Sequence, residues 1–243
     1  MGSLIQNGID WIIAIQALGG WLEAPMQFFT FLGSQDFFFL VLPFIYWSID
    51  AGLGMRVAFG LIASVSLNSY FKLWFVGPRP YWVSGNVQGL SAETSFGVPS
   101  GHAQNAMAVW GIIAARIGKR VAWMLAITLA FLIGFSRLYL GVHFVHDVLA
   151  GWALGAAVLW GVLRFWDPVA AWLKSKTVTS QISLAFVMSL VMIALGYASA
   201  ARLDGYIFPE EYRVNALRAS DELPAPASLE TIVTSAGTFF GLA

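Results

Sequence analysis

Three short stretches carry groups that an oily chain keeps only at a cost. Ser136-Arg137-Leu138-Tyr139-Leu140-Gly141-Val142-His143-Phe144-Val145-His146-Asp147 holds an arginine, two of the chain's three histidines and an aspartate between two long apolar runs. Ionisable groups at membrane depth point to function. His143 and Asp147 stand four positions apart, which on a helix puts both on one face. A carboxylate on one ring nitrogen fixes the tautomer and leaves the other nitrogen free to attack or to accept a proton. Taken alone, the stretch reads equally well as a helix end where Arg137 and Asp147 snorkel and the histidines pack. His146 points about 100° away from Asp147 on a helix and reads as structural or supporting.

The other two stretches change the balance. Lys72 with Arg79-Pro80 adds two cations to Arg137, and a dianionic phosphate needs such partners. Pro99-Ser100-Gly101-His102 opens a helical pattern. There a hydroxyl, the first backbone N–H groups and the helix dipole can meet an anion, and Gly101 allows close approach. His102 stands beside that anion site, placed to give a proton to a leaving oxygen. Asp147 is the only carboxylate in the three stretches, so nothing there gathers Mg²⁺. No cofactor is called for, and the cations take over the stabilisation of the equatorial oxygens.

The elements that must position these groups are membrane spans. The 243 residues are 58% hydrophobic and 11% charged, against about 25% charged in a soluble domain. Zero net charge gives no field to recruit nucleic acid, and the absence of cysteine excludes disulfides, thiolate catalysis and Cys-based metal sites. No cleavable signal peptide is evident. The expected fold is an all-α integral membrane bundle of about six transmembrane helices behind an interfacial N-terminal segment. Residues 1–35 read as two short interfacial helices, because Asp10, Gly19, Gly20, Glu23 and Pro25 interrupt the apolar run, with a tilted first span as the competing reading. Residues 36–201 read as the transmembrane domain, with spans at Phe37–Ile49, Arg56–Val76, Gly101–Ile117, Val121–Phe135, Asp147–Phe165 and Ile182–Ala201. Gly77–Ser100 reads as a loop. Residues 202–243 read as a polar connector, carrying Asp204, Glu210, Glu211, Asp221, Glu222 and Glu230, followed by the start of a further span cut short. Alternating sides along the spans, Arg56, Arg116, Lys119, Arg120, Arg164, Lys174 and Lys176 gather at one end, which the positive-inside rule puts in the cytoplasm. The three polar stretches then converge on the extracytoplasmic surface.

The motifs resemble those of the type 2 phosphatidic acid phosphatase superfamily of integral membrane lipid phosphatases: K-x6-R-P at Lys72–Pro80, P-S-G-H at Pro99–His102, and S-R-x5-H-x3-D at Ser136–Asp147. The resemblance covers about Asp36 to Phe165. It implies phosphate binding by Lys72, Arg79, Ser100, Gly101 and Arg137, with His143 as nucleophile, Asp147 orienting it and His102 as general acid. It also implies a metal-independent reaction through a phosphohistidine. The N-terminal layout resembles the bacterial undecaprenyl diphosphate phosphatases of this family, which suggests a bacterial cytoplasmic membrane. The substrate expected is a lipid phosphate: a polyprenyl diphosphate, phosphatidate or phosphatidylglycerophosphate. Two rivals share the pocket. One is a phosphotransferase that passes the phosphoryl group from His143 to another acceptor, and the other is a non-catalytic lipid-phosphate binder or transporter.

Overall fold

In a computed structural model, which describes residues 2–220 and 222–243 and so leaves Asp221 outside, helix α6 (Gly101–Ile117) is the element around which the others pack. It touches α4 (Ala51–Phe75), α7 (Arg120–Tyr139) and α8 (Val145–Lys174). Without a hydrophobic drive between helices in lipid, close approach depends on small residues. Ala103, Ala106, Ala108 and Ala114 of α6 are buried, and Gly151 of α8 packs against Ala103. A Cβ on Gly151 would lie 2.5 Å from the Ser100 carbonyl oxygen, so only glycine lets α8 pass the start of α6 at this distance. The outer faces stay apolar and exposed, as lipid-facing surfaces are, with Leu125, Phe131, Trp160 and Leu163 among them.

Beneath the start of α6, a buried polar network ties it to α4. Asn68 donates to the Pro99 carbonyl (3.1 Å) and to Gln104 Oε1 (2.9 Å). Gln104 Nε2 donates to the Ser64 carbonyl (2.8 Å), and Ser64 Oγ donates to Asn105 Oδ1 (2.7 Å). Satisfied networks of this kind fix one arrangement, because a half-made one leaves polar atoms stranded in low dielectric.

Several sequence expectations shift. Among the described residues, four helical stretches are long and apolar enough to cross a membrane, at 51–83, 120–139, 145–174 and 178–201, and a fifth arises if the pair bent by 51° between 20–31 and 35–49 is one span. The shorter α6, of 17 residues, lies inside the bundle. The helix expected to end at Phe135 runs on to Tyr139, because Ser136 donates to the Ile133 carbonyl (2.7 Å) and Arg137 finds buried partners. The fifth expected span extends from Val145 to Lys174. The N-terminal α1 (Gly2–Gln16) and α2 (Glu23–Phe31) pack against the site end of α7 and of the four-residue α5 (Pro80–Val83), with Ile9 and Ile12 buried beside Tyr81, Trp82 and Tyr139. The bent pair's second half is α3 (Gln35–Phe44) and a π-turn, Ile45–Ile49. After α9 (Val178–Ala201), the polar connector contains α10 (Glu210–Ala219), which packs on α5, and α11 (Glu230–Leu242), which packs on α9 and α4.

Candidate active site

All three polar stretches meet at one end of the bundle, where α4 and α7 finish and α6 and α8 begin. A cavity of ≈ 230 Å³ there is lined by Lys72, Glu93, Gly101, His102 and His143. Arg79, Ser100, Arg137 and Asp147 lie directly behind that lining, each at most 1% exposed. Every residue read from the sequence as part of the site is thus at this cavity or against it.

His143 and Asp147 meet, though not along a helix face. His143 precedes α8, whose first residue is Val145, and Asp147 sits in the first turn. Asp147 Oδ2 accepts the backbone N–H of Phe144 (2.9 Å), capping the helix, and faces His143 Nδ1 at 3.2 Å. One carboxylate therefore holds both the helix start and the imidazole. Gly141 makes the turn before it, with φ +73, a left-handed conformation that suits glycine. On the other side of the ring, Arg79 Nη1 lies 3.2 Å from Nε2. A guanidinium only donates. Nε2 must then carry the lone pair, and Nδ1 the proton that goes to Asp147. Burial first, then the charges of Arg79, Arg137 and Lys72, hold the His143 imidazole well below its usual range, so the ring is neutral at neutral pH. The His146 ring stacks on Phe144 and lies 3.1 Å from Asp147 Oδ1 without an aligned hydrogen bond, which keeps it in a supporting place.

The cations are engaged. Arg79 donates to the carbonyls of Ser95 (2.7 Å), Val142 (3.0 Å) and Phe96 (3.1 Å), so it pins the loop to the turn that carries His143. Lys72 Nζ donates to Ser95 Oγ at 2.8 Å. Arg137 donates to Thr30 of α2, and its Nε has no partner among the described residues. Ser100 caps α6 and its backbone N–H reaches the Asp147 carbonyl (2.9 Å), which links the second stretch to the third.

The sequence reading missed Glu93. It counted Asp147 as the sole carboxylate, but Glu93 Oε2 lies 3.1 Å from Arg79 Nη2 and Oε1 accepts from Arg137 Nη2. Burial pushes the Glu93 carboxyl up, yet Arg79 and Arg137 outweigh it and the group ionises far below the usual carboxylate range. The signal was available: Glu93 is the only acid between Gly77 and Ser100, and buried cations need a counter-charge. Thr30 carried no such signal.

Fold and site together define an integral membrane phosphatase. A family profile described as the PAP2 superfamily matches residues 53–171. Phosphatidylglycerophosphatase B of Bacillus subtilis (strain 168) is 34% identical over 160 residues, spanning 60% of this chain and 75% of the relative. Human glucose-6-phosphatase 3 is 31% identical over 185 residues, and the match spans 66% of this chain but only 53% of that longer protein. The crystal structure of a transmembrane PAP2-type phosphatidylglycerolphosphate phosphatase from Bacillus subtilis superposes with a TM-score of 0.60 at 28% identity, covering 70% of this chain and 89% of that one. Aquifex aeolicus LpxE shares the fold (TM-score 0.55, 23% identity, 64% and 93% covered). The chain belongs to the PAP2 superfamily.

Proposed function

We propose that the chain hydrolyses a phosphomonoester or diphosphate on a membrane lipid, without a metal ion, through a phosphohistidine on His143. One observation carries the reading. The Glu93 carboxylate is held between two buried guanidiniums, in the cavity that Lys72 and His143 also line. A carboxylate there stands in for an anion, and a phosphoryl group taking its place would meet Arg79, Arg137 and the free donor Arg137 Nε.

The chemistry follows in two displacements. His143 Nε2 attacks phosphorus and the P–O bond to the lipid breaks. His102 supplies the proton to the departing oxygen. The Asp147 carboxylate, facing Nδ1–H, stabilises the positive charge that grows on the imidazole. Water then attacks the phosphohistidine, passing its proton back to His102, and the N–P bond breaks to release phosphate. The cations and the start of α6 hold the equatorial oxygens in both steps. A lipid substrate fits the exposed apolar faces around the site and the names of relatives that include phosphatidylglycerophosphatase B and sphingosine-1-phosphate phosphatase 2. Phosphatidylglycerophosphate, phosphatidate and a polyprenyl diphosphate are the candidates. The extracytoplasmic face of a bacterial cytoplasmic membrane is the proposed location, on the positive-inside argument.

With ³²P-labelled lipid phosphate, the wild type should give an acid-labile protein label and release free phosphate in EDTA, while His143→Ala should show neither. Full turnover by His143→Ala would overturn the mechanism. Label appearing on another lipid or sugar instead of as free phosphate would make the chain a phosphotransferase.

A further inference from the structure

The family match ends at residue 171, yet the chain beyond it touches the site. Ala225 donates its N–H to the Thr94 carbonyl (3.0 Å), next to Glu93, and Asn215 of α10 donates to the Trp82 carbonyl (3.0 Å). Tyr206 packs edge-on against Phe96 at 5.8 Å. Ala225, Pro226 and Ser228 line the phosphate cavity itself. A second cavity, of ≈ 220 Å³, lies among α3, α4 and α11. The two cavities share Gln35, Val65, Glu230 and Thr231 as walls, so they adjoin.

The walls of the second cavity differ in chemistry. Phe39, Leu61 and Ile62 are apolar, while α11 presents the hydroxyls of Thr231, Thr234, Ser235 and Thr238 along one helix face, with Glu230 at its start. Thr231 lines both cavities and Thr234 stands one turn further along α11, beside the buried Ser235, while Thr238 bonds back to the Thr234 carbonyl (2.8 Å). A hydroxyl face opposite an apolar one beside a phosphate site matches a ligand with polar atoms along one side of its first few bonds. The ester-bearing glycerol of a diacylglycerol phosphate has such atoms, and an isoprenoid phosphate has none there.

We infer that α11, through Thr231 and Thr234, is a substrate-selecting wall lying outside the family's common core. The scissile phosphate occupies the first cavity, the glycerol esters face the threonines, and the acyl chain leaves over Phe39, Leu61 and Ile62. This rests on the lipid-phosphatase reading above.

The test uses the purified full chain in detergent micelles and compares kcat/KM for dioleoyl phosphatidate and geranylgeranyl phosphate. Thr231→Val/Thr234→Val keeps the shape and removes both hydroxyls. The phosphatidate-to-isoprenoid ratio should fall about tenfold, the size of one or two modest hydrogen bonds. Thr234→Trp, which fills the second cavity, should raise KM for both lipids relative to that for soluble glycerol 3-phosphate. A ratio unchanged in the double variant, or lipid KM values unmoved in the tryptophan variant, overturns the inference and leaves the lipid-phosphatase reading standing. A wild type that hydrolyses glycerol 3-phosphate but neither lipid overturns that reading and the inference with it.

Discussion

Arg79 reaches three backbone carbonyls, the Glu93 carboxylate and the edge of the His143 ring, so it is scaffold and anion partner at once. Glu93 is the group whose removal separates these roles. A carboxylate and a phosphate dianion repel each other at one pair of guanidiniums. Glu93→Gln should therefore bind vanadate or inorganic phosphate about tenfold more tightly, read as a lower inhibition constant. The same change withdraws the counter-charge from two buried arginines, and breaking such a pair costs about 3–5 kcal/mol when fully enclosed. Glu93 keeps 18% of its side chain exposed, so the loss of stability should fall towards the lower end, visible as a reduced melting temperature relieved by added phosphate. His143 offers a second measurement. Its folded pKa is depressed, so the imidazole stays neutral as pH falls through the ordinary histidine range, and labelled-histidine NMR of the free enzyme should show it uncharged at pH 6. The chemistry-bearing residues were legible because arginine, lysine and histidine are costly in an apolar chain. Glu93 was not, because an acid in a loop is ordinary until the fold closes that loop over two cations.

At the scale of elements, the periodicity located α6 to the residue, from Gly101 to Ile117, because a serine cap opens it and Gly118, at φ +70, closes it. It misjudged α7 and the junction after it. An apolar pattern that stops at Phe135 does not stop a helix whose next polar residues find buried partners, and Asp147 serves as a helix cap where the spacing suggested a shared helix face. The position of α6 also depends on what lets α8 approach it. Gly151 has the Ser100 carbonyl in the space a Cβ would occupy, and Gln104 N and Ala103 Cβ lie just beyond, at 3.3 and 3.2 Å. Gly151→Leu should push the start of α6 away from Asp147, breaking the Ser100 N–H to Asp147 carbonyl contact. We expect kcat to fall more than tenfold through displaced catalytic groups, since misplacement by about 1 Å can cost 10²-fold. Helix content by circular dichroism should change little, because the lipid-facing surfaces are untouched. A variant with unaltered kcat would mean that the α6–α8 contact does not position the phosphate site.

Across the whole molecule, the helices divide their charge between two ends. Arg56 pairs with Asp167 (2.7 Å) and Arg116 with Asp50 (2.5 Å) at the end opposite the cavity, where Lys119, Arg120, Lys174 and Lys176 also lie. Their carboxylates are partly or well exposed, so these pairs contribute little stability. Their consequence is topological, since cationic residues flanking spans are retained on the cytoplasmic side whether or not they are paired. The opposite end carries α5, α10 and the loop from 77 to 100, a cap of polar backbone that suits water and headgroups. If the seven-base end is cytoplasmic, a reporter active only in the cytoplasm should be active when fused after Lys119. A cysteine placed at Asp204, exposed in the turn after α9, should be labelled from outside intact cells by a membrane-impermeant maleimide. The chain has no native cysteine, so the label reports that position alone. An extracytoplasmic reporter after Lys119, together with protection at 204, would turn the site toward the cytoplasm and make its substrates those of the inner leaflet.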